Sequence, residues 1–249
     1  MKSLVKRFKE LIGLGLFFIL TFCLVGQAMG QTLGMVADDV TNTVTVFDAD
    51  ADVVLGSFPV PAGAIGDCSI TPDQAFGFVT NFEGVITPID LRVLVLLPGI
   101  PISNFGEDTS ITADGRCMVV CDGTAPQPVS SIDINLMTEV DTFDLGGGMN
   151  CNSVDVCSDG TVLTTTNGSD VVRRLTIDSS CMLTDTGDSI ASGSGPNNVT
   201  CAPDSASLVT TLSDAGLINS FTTPPLTSVD TQGQQVPSGS LLSLTRLET

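Results

Sequence analysis

The sequence predicts an all-β chain assembled from one repeated multi-stranded unit, and three observations carry that prediction. Short runs rich in Val, Ile, Thr and Phe alternate with turn residues, whereas helix-forming stretches are sparse. The turn Pro72-Asp73 recurs as Ala113-Asp114-Gly115, Ser158-Asp159-Gly160 and Pro203-Asp204, so Asp73, Asp114, Asp159 and Asp204 lie 41, 45 and 45 residues apart. A period in that range marks a propeller or a solenoid. No Pro-, Gly- or Ser-rich linker interrupts it, which argues for a single domain over residues 31–249.

The unit is clearest over residues 66–91, where three β-like runs are separated by Pro72-Asp73 and by Asn81-Phe82-Glu83-Gly84. Taken by their turns, the units follow in order. The first has runs at 33–37, 43–47 and 53–60 and breaks at Pro61-Ala62-Gly63. The second has runs at 67–71, 75–80, 85–89 and 94–102, and the third at 108–112, 116–121, 129–134 and 139–145. The fourth has runs at 153–157, 161–166, 171–177 and 182–190, and the fifth at 199–202, 207–212, 217–222 and 227–232. A last run occupies 241–247.

The first thirty residues read as a signal peptide. Lys2, Lys6, Arg7 and Lys9 precede an apolar run from Leu11 to Val25 and a small-residue exit, Gly26-Gln27-Ala28-Met29-Gly30, which predicts a mature start near Gln31. The run is shorter than the ~20 residues of a membrane span. Phe22 stands before Cys23 where a lipoprotein anchor needs a small residue. The chain is therefore expected to be secreted, periplasmic or at the cell surface, with no membrane contact after cleavage.

The net charge is −19, from 28 acidic and 9 basic residues, and four of the nine cations lie in the leader. Nucleic acids and anionic membranes are bound through clustered Lys and Arg, so both are excluded as partners. There is no His, Trp or Tyr. Without imidazole, no Ser-His-Asp triad or His-liganded metal centre can be built.

The repeated runs carry matching motifs. Met35-Val36-Ala37-Asp38 goes with Val46-Phe47-Asp48, Phe78-Val79-Thr80-Asn81 with Pro88-Ile89-Asp90, and Val119-Val120-Cys121-Asp122 with Ser131-Ile132-Asp133. Thr164-Thr165-Thr166-Asn167 goes with Thr176-Ile177-Asp178. This set resembles the extracellular propeller family named for its Tyr-Val-Thr-Asn signature, a relative of the lactonase-like propellers, over nearly the whole mature chain. The chain departs from the family in lacking Tyr, and its fifth unit reads Thr211-Leu212-Ser213.

The resemblance implies a blade order in which the innermost strand precedes the Pro-Asp turn. The first run, 33–37, matches a second strand, and Leu241-Leu242-Ser243-Leu244 aligns with Asn198-Val199-Thr200-Cys201 at a shift of 43 residues. The expectation is a single β-propeller of five four-stranded blades, closed because the N- and C-terminal strands share one blade. A shortened ring that closes by dimerising, and a fragment of a longer product, are the alternatives.

That order also implies a face where second strands end and inner strands begin. It carries Asp38, Asn81, Asp122 and Asn167 from one set, and Asp67, Asp108, Asn152 and Asn198 from the other. Converging carboxylate and amide oxygens suit Ca²⁺, and similar lactonase-like propellers hold a divalent cation near that place. The same residue types are the ordinary formers of turns. Asp48-Ala49-Asp50-Ala51-Asp52 alternates carboxylates but lacks the glycine and glutamate of a calcium loop.

Seven cysteines follow the leader, and the implied topology suggests the pairs Cys117 with Cys157 and Cys121 with Cys151. Gly146-Gly147-Gly148 has no following lysine and is a connection, and Arg173-Arg174 reads as a solvated strand face. The functional expectation is an exported, non-enzymatic binding or surface scaffold module with a protein or glycan partner at the cell exterior. The alternative is a divalent-cation-dependent, lactonase-like hydrolase with Asp122 as base. A subunit of a surface assembly is the third reading.

Overall fold

The structure, a computed structural model, describes residues 31–233 apart from positions 62, 64, 104, 124–127, 147–149, 203–206, 213–216 and 223–225. The leader, Asp204 and the run 241–247 lie outside the described residues. Regular structure among the described residues is entirely β, in antiparallel sheets that succeed one another along the chain.

The first sheet has three strands, β1 (Leu33–Asp38), β2 (Thr43–Asp48) and β3 (Val53–Pro59). The second is built from β4 (Ile65–Ile70), β5 (Phe76–Asn81), β6 (Val85–Asp90) and β7 (Val95–Leu96), and β8 (Ile100–Pro101) also pairs with β6. The third holds β9 (Asp108–Ile111), β10 (Cys117–Cys121), β11 (Pro128–Asp133) and β12 (Thr138–Asp144). The fourth holds β13 (Asn150–Val156), β14 (Thr161–Asn167), β15 (Val171–Ile177) and β16 (Leu183–Ala191). The last holds β17 (Pro196–Cys201), β18 (Ser207–Leu212), β19 (Leu217–Thr222) and β20 (Thr227–Gly233).

The order of strands within each sheet is the order along the chain, as short hairpin connections dictate. Strands β4, β9, β13 and β17 lie beside one another in turn, and that side of the molecule is termed inner. Strand β1 packs on β4 as β10 packs on β13 and β14 on β17, so β1 occupies a second-strand position. One expected strand is interrupted: the run 94–102 splits into β7 and β8 around Pro98-Gly99, because proline has no N–H to give to the ladder.

The second and third sheets are covered on both faces, so their second strands are apolar in both directions. In β10 all five residues are buried: Cys117, Val119 and Cys121 join a core with Val154, Val156 and Leu175 of the fourth sheet. Met118 and Val120 turn the other way, onto Phe78, Ile86 and Ile100 of the second sheet. Strand β5 divides likewise, with Val79 in the core shared with Val44 and Val46. Alternation is lost in such a strand for the reason it is lost in any strand buried on both faces.

The turns before the outer strands are set by the aspartate that closes each third-strand motif. Asp48, Asp90, Asp133 and Asp178 accept the N–H of Asp50, Arg92, Asn135 and Ser180 at 2.9, 3.0, 2.9 and 2.7 Å. Each turn then places a non-glycine residue at positive φ, namely Asp52, Leu94, Met137 and Cys181 at 54°, 55°, 50° and 61°. The Asp48–Asp52 cluster is thus a turn, and Gln31 and Thr32 also donate to Asp48 and Asp50.

Three disulfides staple the later sheets: Cys117–Cys181, Cys121–Cys151 and Cys157–Cys201, with Cα separations of 5.5, 5.3 and 5.4 Å. The expected Cys117–Cys157 pair does not form. The turn after β15 folds back over the start of β10 and brings Cys181 there first, while Cys157 faces Cys201 of the next sheet. Cys68 keeps a free thiol. Three disulfides suggest an oxidising environment, extracellular or periplasmic. Among the described residues no helix is long and apolar enough to cross a membrane.

Arg173 and Arg174 are not a solvated face. They pair with Asp185 and Asp188 of β16, and Arg173 also donates to the Leu145 carbonyl at 2.8 Å and lies over the Phe143 ring. The loss of solvent is compensated by two carboxylates on the neighbouring strand.

Candidate functional site

The inner strands leave edge N–H groups that no ladder partner satisfies, and aspartates of the preceding sheet accept them. Asp67 Oδ2 on β4 accepts the Thr109 hydroxyl at 2.8 Å and the Thr109 N–H at 3.2 Å. Asp108 Oδ2 on β9 accepts the Val154 N–H at 2.8 Å. Asp155 Oδ2 on β13 accepts the Cys201 N–H at 2.6 Å and the Thr200 hydroxyl at 3.2 Å. Ser110 completes the series, donating to Asp155 Oδ1 at 2.9 Å and accepting the Val156 N–H at 3.0 Å.

Register irregularities in β4, β13 and β17 turn these polar side chains toward the neighbouring sheet. Backbones approach closely at the same level: a β carbon on Gly66 would collide with the Gly106 carbonyl oxygen, so only glycine fits there.

Burial dominates the electrostatics. Asp67 is raised by desolvation, and Asp108 is pushed up to about 7 by desolvation and then by the charge of Asp67. Glu107 is raised by burial and by Asp122 beside it. The Cys68 thiol is pushed up to about 11 by burial and by Asp67, which makes it a poor nucleophile.

The residues expected to converge do not form one oxygen cage. Asp38 is exposed and accepts the Val40 N–H and the Thr41 hydroxyl at 2.9 and 2.7 Å. Asn81 caps its own turn through the N–H groups of Glu83 and Val85 at 3.1 and 3.2 Å. Asp122 is fully buried and accepts the Phe105 N–H at 2.6 Å. Asn152 donates to the Pro196 carbonyl at 3.1 Å. Asn198 lies next to the bulge in β17, and the Asn167 side chain is outside the described residues.

Two register differences separate the predicted set from the observed one. The turn closing from Cys157 to Thr161 is one residue shorter than that from Thr112 to Cys117, so Thr166, not Asn167, stands where Asp122 does. The bulge at Asn152 puts Ser153 level with Asp67 and Asp108. Carboxylates already bonded to backbone N–H groups are poor donors to Ca²⁺, and no group of three acidic or cysteine side chains among the described residues could hold a metal. The residues present do not fit a shared calcium site.

Two clefts open at the Pro-Asp turns. One of about 480 Å³, between the second and third sheets, is lined by Ser69, Ile70, Pro72, Thr109, Ile111 and Ala113. Another of about 300 Å³, between the third and fourth, is lined by Asp114, Asp159, Asp178 and the Cys117 and Cys157 side of the disulfides. In the second, each carboxylate is engaged in its own turn, through Arg116, Thr161 and Ser180 N–H groups at 3.0, 2.9 and 2.7 Å.

No protein-family model matches the chain, and no curated protein matches it. Solved structures do match in fold. A functionally unknown protein from Desulfotomaculum acetoxidans superposes with a TM-score of 0.75 at 21% identity, over 82% of this chain and 67% of that one. Kuenenia stuttgartiensis hydrazine synthase gives 0.66 at 19% identity, over 78% of this chain and 61% of that one. Dihydro-heme d1 dehydrogenase NirN gives 0.69 at 15% identity, over 84% of this chain and 46% of that one. The likeness supports an all-β, propeller-like fold and nothing finer. The chain spans less than two thirds of the last two proteins.

Asp155, Ser110 and Glu107 were absent from the predicted set. The motif signal of this chain sits at the ends of second and third strands, and these residues lie on the inner strands, where the sequence repeats least. Ser110 and Asp155, 45 residues apart, were the available hint.

Proposed function

We propose that this chain is an exported β-propeller that acts as a binding or surface scaffold module for a protein or glycan at the cell exterior. The observation that supports it is the use of Asp67, Asp108 and Asp155 as ties between sheets, which commits these three carboxylates to groups of the next sheet. The 480 Å³ cleft, walled by hydroxyls and by Ile70, Pro72 and Ile111, has the size and mixed polarity of a small-ligand or glycan site.

Glycan-array and pull-down binding, compared between the native chain and Ala113→Arg, tests this. Ala113→Arg fills the cleft mouth without touching the ties. Binding that the variant loses, with an unchanged circular dichroism spectrum, is expected. Ester or lactone hydrolysis that chelator abolishes and Asp122→Asn removes would overturn it in favour of the hydrolase.

The ring proposed is five blades, with residues 241–247 as the inner strand of the first. Strand β1 supports this reading, since its pairing is to β2 and it sits in a second-strand position. Deleting 241–249 then leaves the β1 edge without its proposed partner strand and lowers the melting temperature; an unchanged melt would refute the closure.

A further inference from the structure

We propose that the side of the molecule carrying the Pro-Asp turns and the turns before the outer strands is a docking surface for a cationic protein segment in which Lys or Arg alternates with apolar residues. This rests on the binding-module reading and narrows its partner. The two kinds of turn lie side by side in each sheet. The Leu91, Ile134 and Ile177 N–H groups donate to the Ala75, Arg116 and Gly160 carbonyls at 3.0, 2.9 and 3.0 Å, which joins each turn before an outer strand to the turn that opens the second strand. Neighbouring sheets continue the surface: the Leu33 N–H donates to Gln74 Oε1 at 2.6 Å, Pro72 and Ala113 share one cleft, and Asp114, Asp159 and Asp178 share the other.

Turns that face water ordinarily carry polar residues. Here Val53, Val54, Val93, Val95, Leu136 and Met182, each between 42% and 68% exposed, stand at the turns before the outer strands of four consecutive sheets. Val93 and Leu136 immediately precede Leu94 and Met137, the residues at positive φ, whereas Val53, Val95 and Met182 immediately follow Asp52, Leu94 and Cys181. The other large apolar side chains exposed among the described residues, Val36, Val40 and Phe105, lie off this side. An exposed apolar position repeated from sheet to sheet marks an interaction surface, which single scattered residues do not. The turns are also rigid, being capped by Asp48, Asp90, Asp133 and Asp178, and the last is tied to β10 by Cys117–Cys181. Binding therefore orders little.

Charge selects the occupant. Asp50, Asp52, Asp73, Asp114, Asp159 and Asp178 are exposed on the same side, and its arginines, Arg92 and Arg116, pair with Asp90 and Asp133. Asp73, Asp114, Asp159 and Asp178 cap their turns through Oδ1, so Oδ2 of each stays available to a partner's cation. A second copy would set this acidic surface against its own kind, and an anionic membrane is repelled likewise. Glycan hydroxyls find no match in valine, leucine and methionine side chains. Lys or Arg beside apolar residues complements both halves of the surface.

Fluorescence anisotropy of the chain from Gln31 onward tests this with two labelled peptides of equal charge, one alternating lysine with leucine and one alternating lysine with serine. The lysine–leucine peptide should bind at least about tenfold more tightly, because apolar burial adds to charge. Its affinity should fall several-fold as salt rises from about 50 to about 300 mM. Combining Val93→Ser, Leu136→Ser and Met182→Ser should remove the preference for leucine, whereas Val40→Ser, in the turn at the opposite end of β1, should keep it. All four side chains are exposed, and circular dichroism should match the native chain. Equal affinity of the native chain for the two peptides overturns the proposal, with or without the variants. So does a triple variant that still prefers leucine, and so does native self-association that the triple variant loses, since a second copy would then cover the surface. The Ala113→Arg comparison separates the two readings. If the peptide fails but cleft binding that Ala113→Arg abolishes is found, the docking surface falls and the binding module stands; if neither is found, both fall.

Discussion

The N–H of Cys151 donates to the Asp122 carbonyl at 2.9 Å, one residue from the Cys121–Cys151 disulfide. A covalent bond and a backbone hydrogen bond thus clamp the end of β10 to the start of β13, beside the Asp155 tie that joins β13 to β17.

Removing that tie should be costly. Asp155→Ala strands the Cys201 N–H and the Thr200 and Ser110 hydroxyls, which have lost a charged acceptor. A destabilisation of about 2–3 kcal/mol follows from the usual cost of orphaned buried donors, read as a lower midpoint in urea unfolding with an unchanged slope.

The disulfides close segments with sequence separations of 64, 30 and 44 residues, each stabilising by about 3.5–4.5 kcal/mol on the chain-entropy account. Non-reducing peptide mapping should recover Cys117–Cys181, Cys121–Cys151 and Cys157–Cys201 with Cys68 alkylated after unfolding. Reductant should lower the melting temperature by well over 10 °C.

An acid limb is expected as well. Asp73 and Asp114 are held below the usual carboxylate range by the Thr71 and Thr112 hydroxyls and by backbone N–H groups, and Asp90 by Arg92. Groups lowered in the fold stabilise it above about pH 4 and cease to as pH falls further. Melting temperature should therefore decline from about pH 5 to about pH 3, less steeply in Asp73→Asn, which gives up that contribution at every pH.

Gly66→Ala should destabilise the second-to-third sheet junction by about 1–3 kcal/mol, because its β carbon meets the Gly106 carbonyl. Calorimetry checks it, and Gly146→Ala, which meets nothing, is the steric control, although its positive φ of 79° adds a small cost of its own.

The strands and their turns were legible in the sequence because they are local: alternating turn residues and β-branched runs recur at a fixed period, and Asp73, Asp114 and Asp159 cap the turns they were read in. The inner-strand site was not. Its register depends on one-residue bulges and on a turn shortened by one residue, and either shift substitutes Ser153 for Asn152 or Thr166 for Asn167 without disturbing the period. A slip of one residue turns a side chain to the other face of its sheet.

The amino-acid sequence by itself determined that the chain is all-β, that its unit repeats, and that imidazole chemistry is impossible, since composition and local pattern carry each of these. Only the tertiary structure decided that Cys117 meets Cys181 rather than Cys157, and that Asp67, Asp108 and Asp155 tie neighbouring sheets. Those outcomes turn on how sheets stack and where edge N–H groups fall, distances between residues some 40 or more apart in the chain that no local pattern encodes.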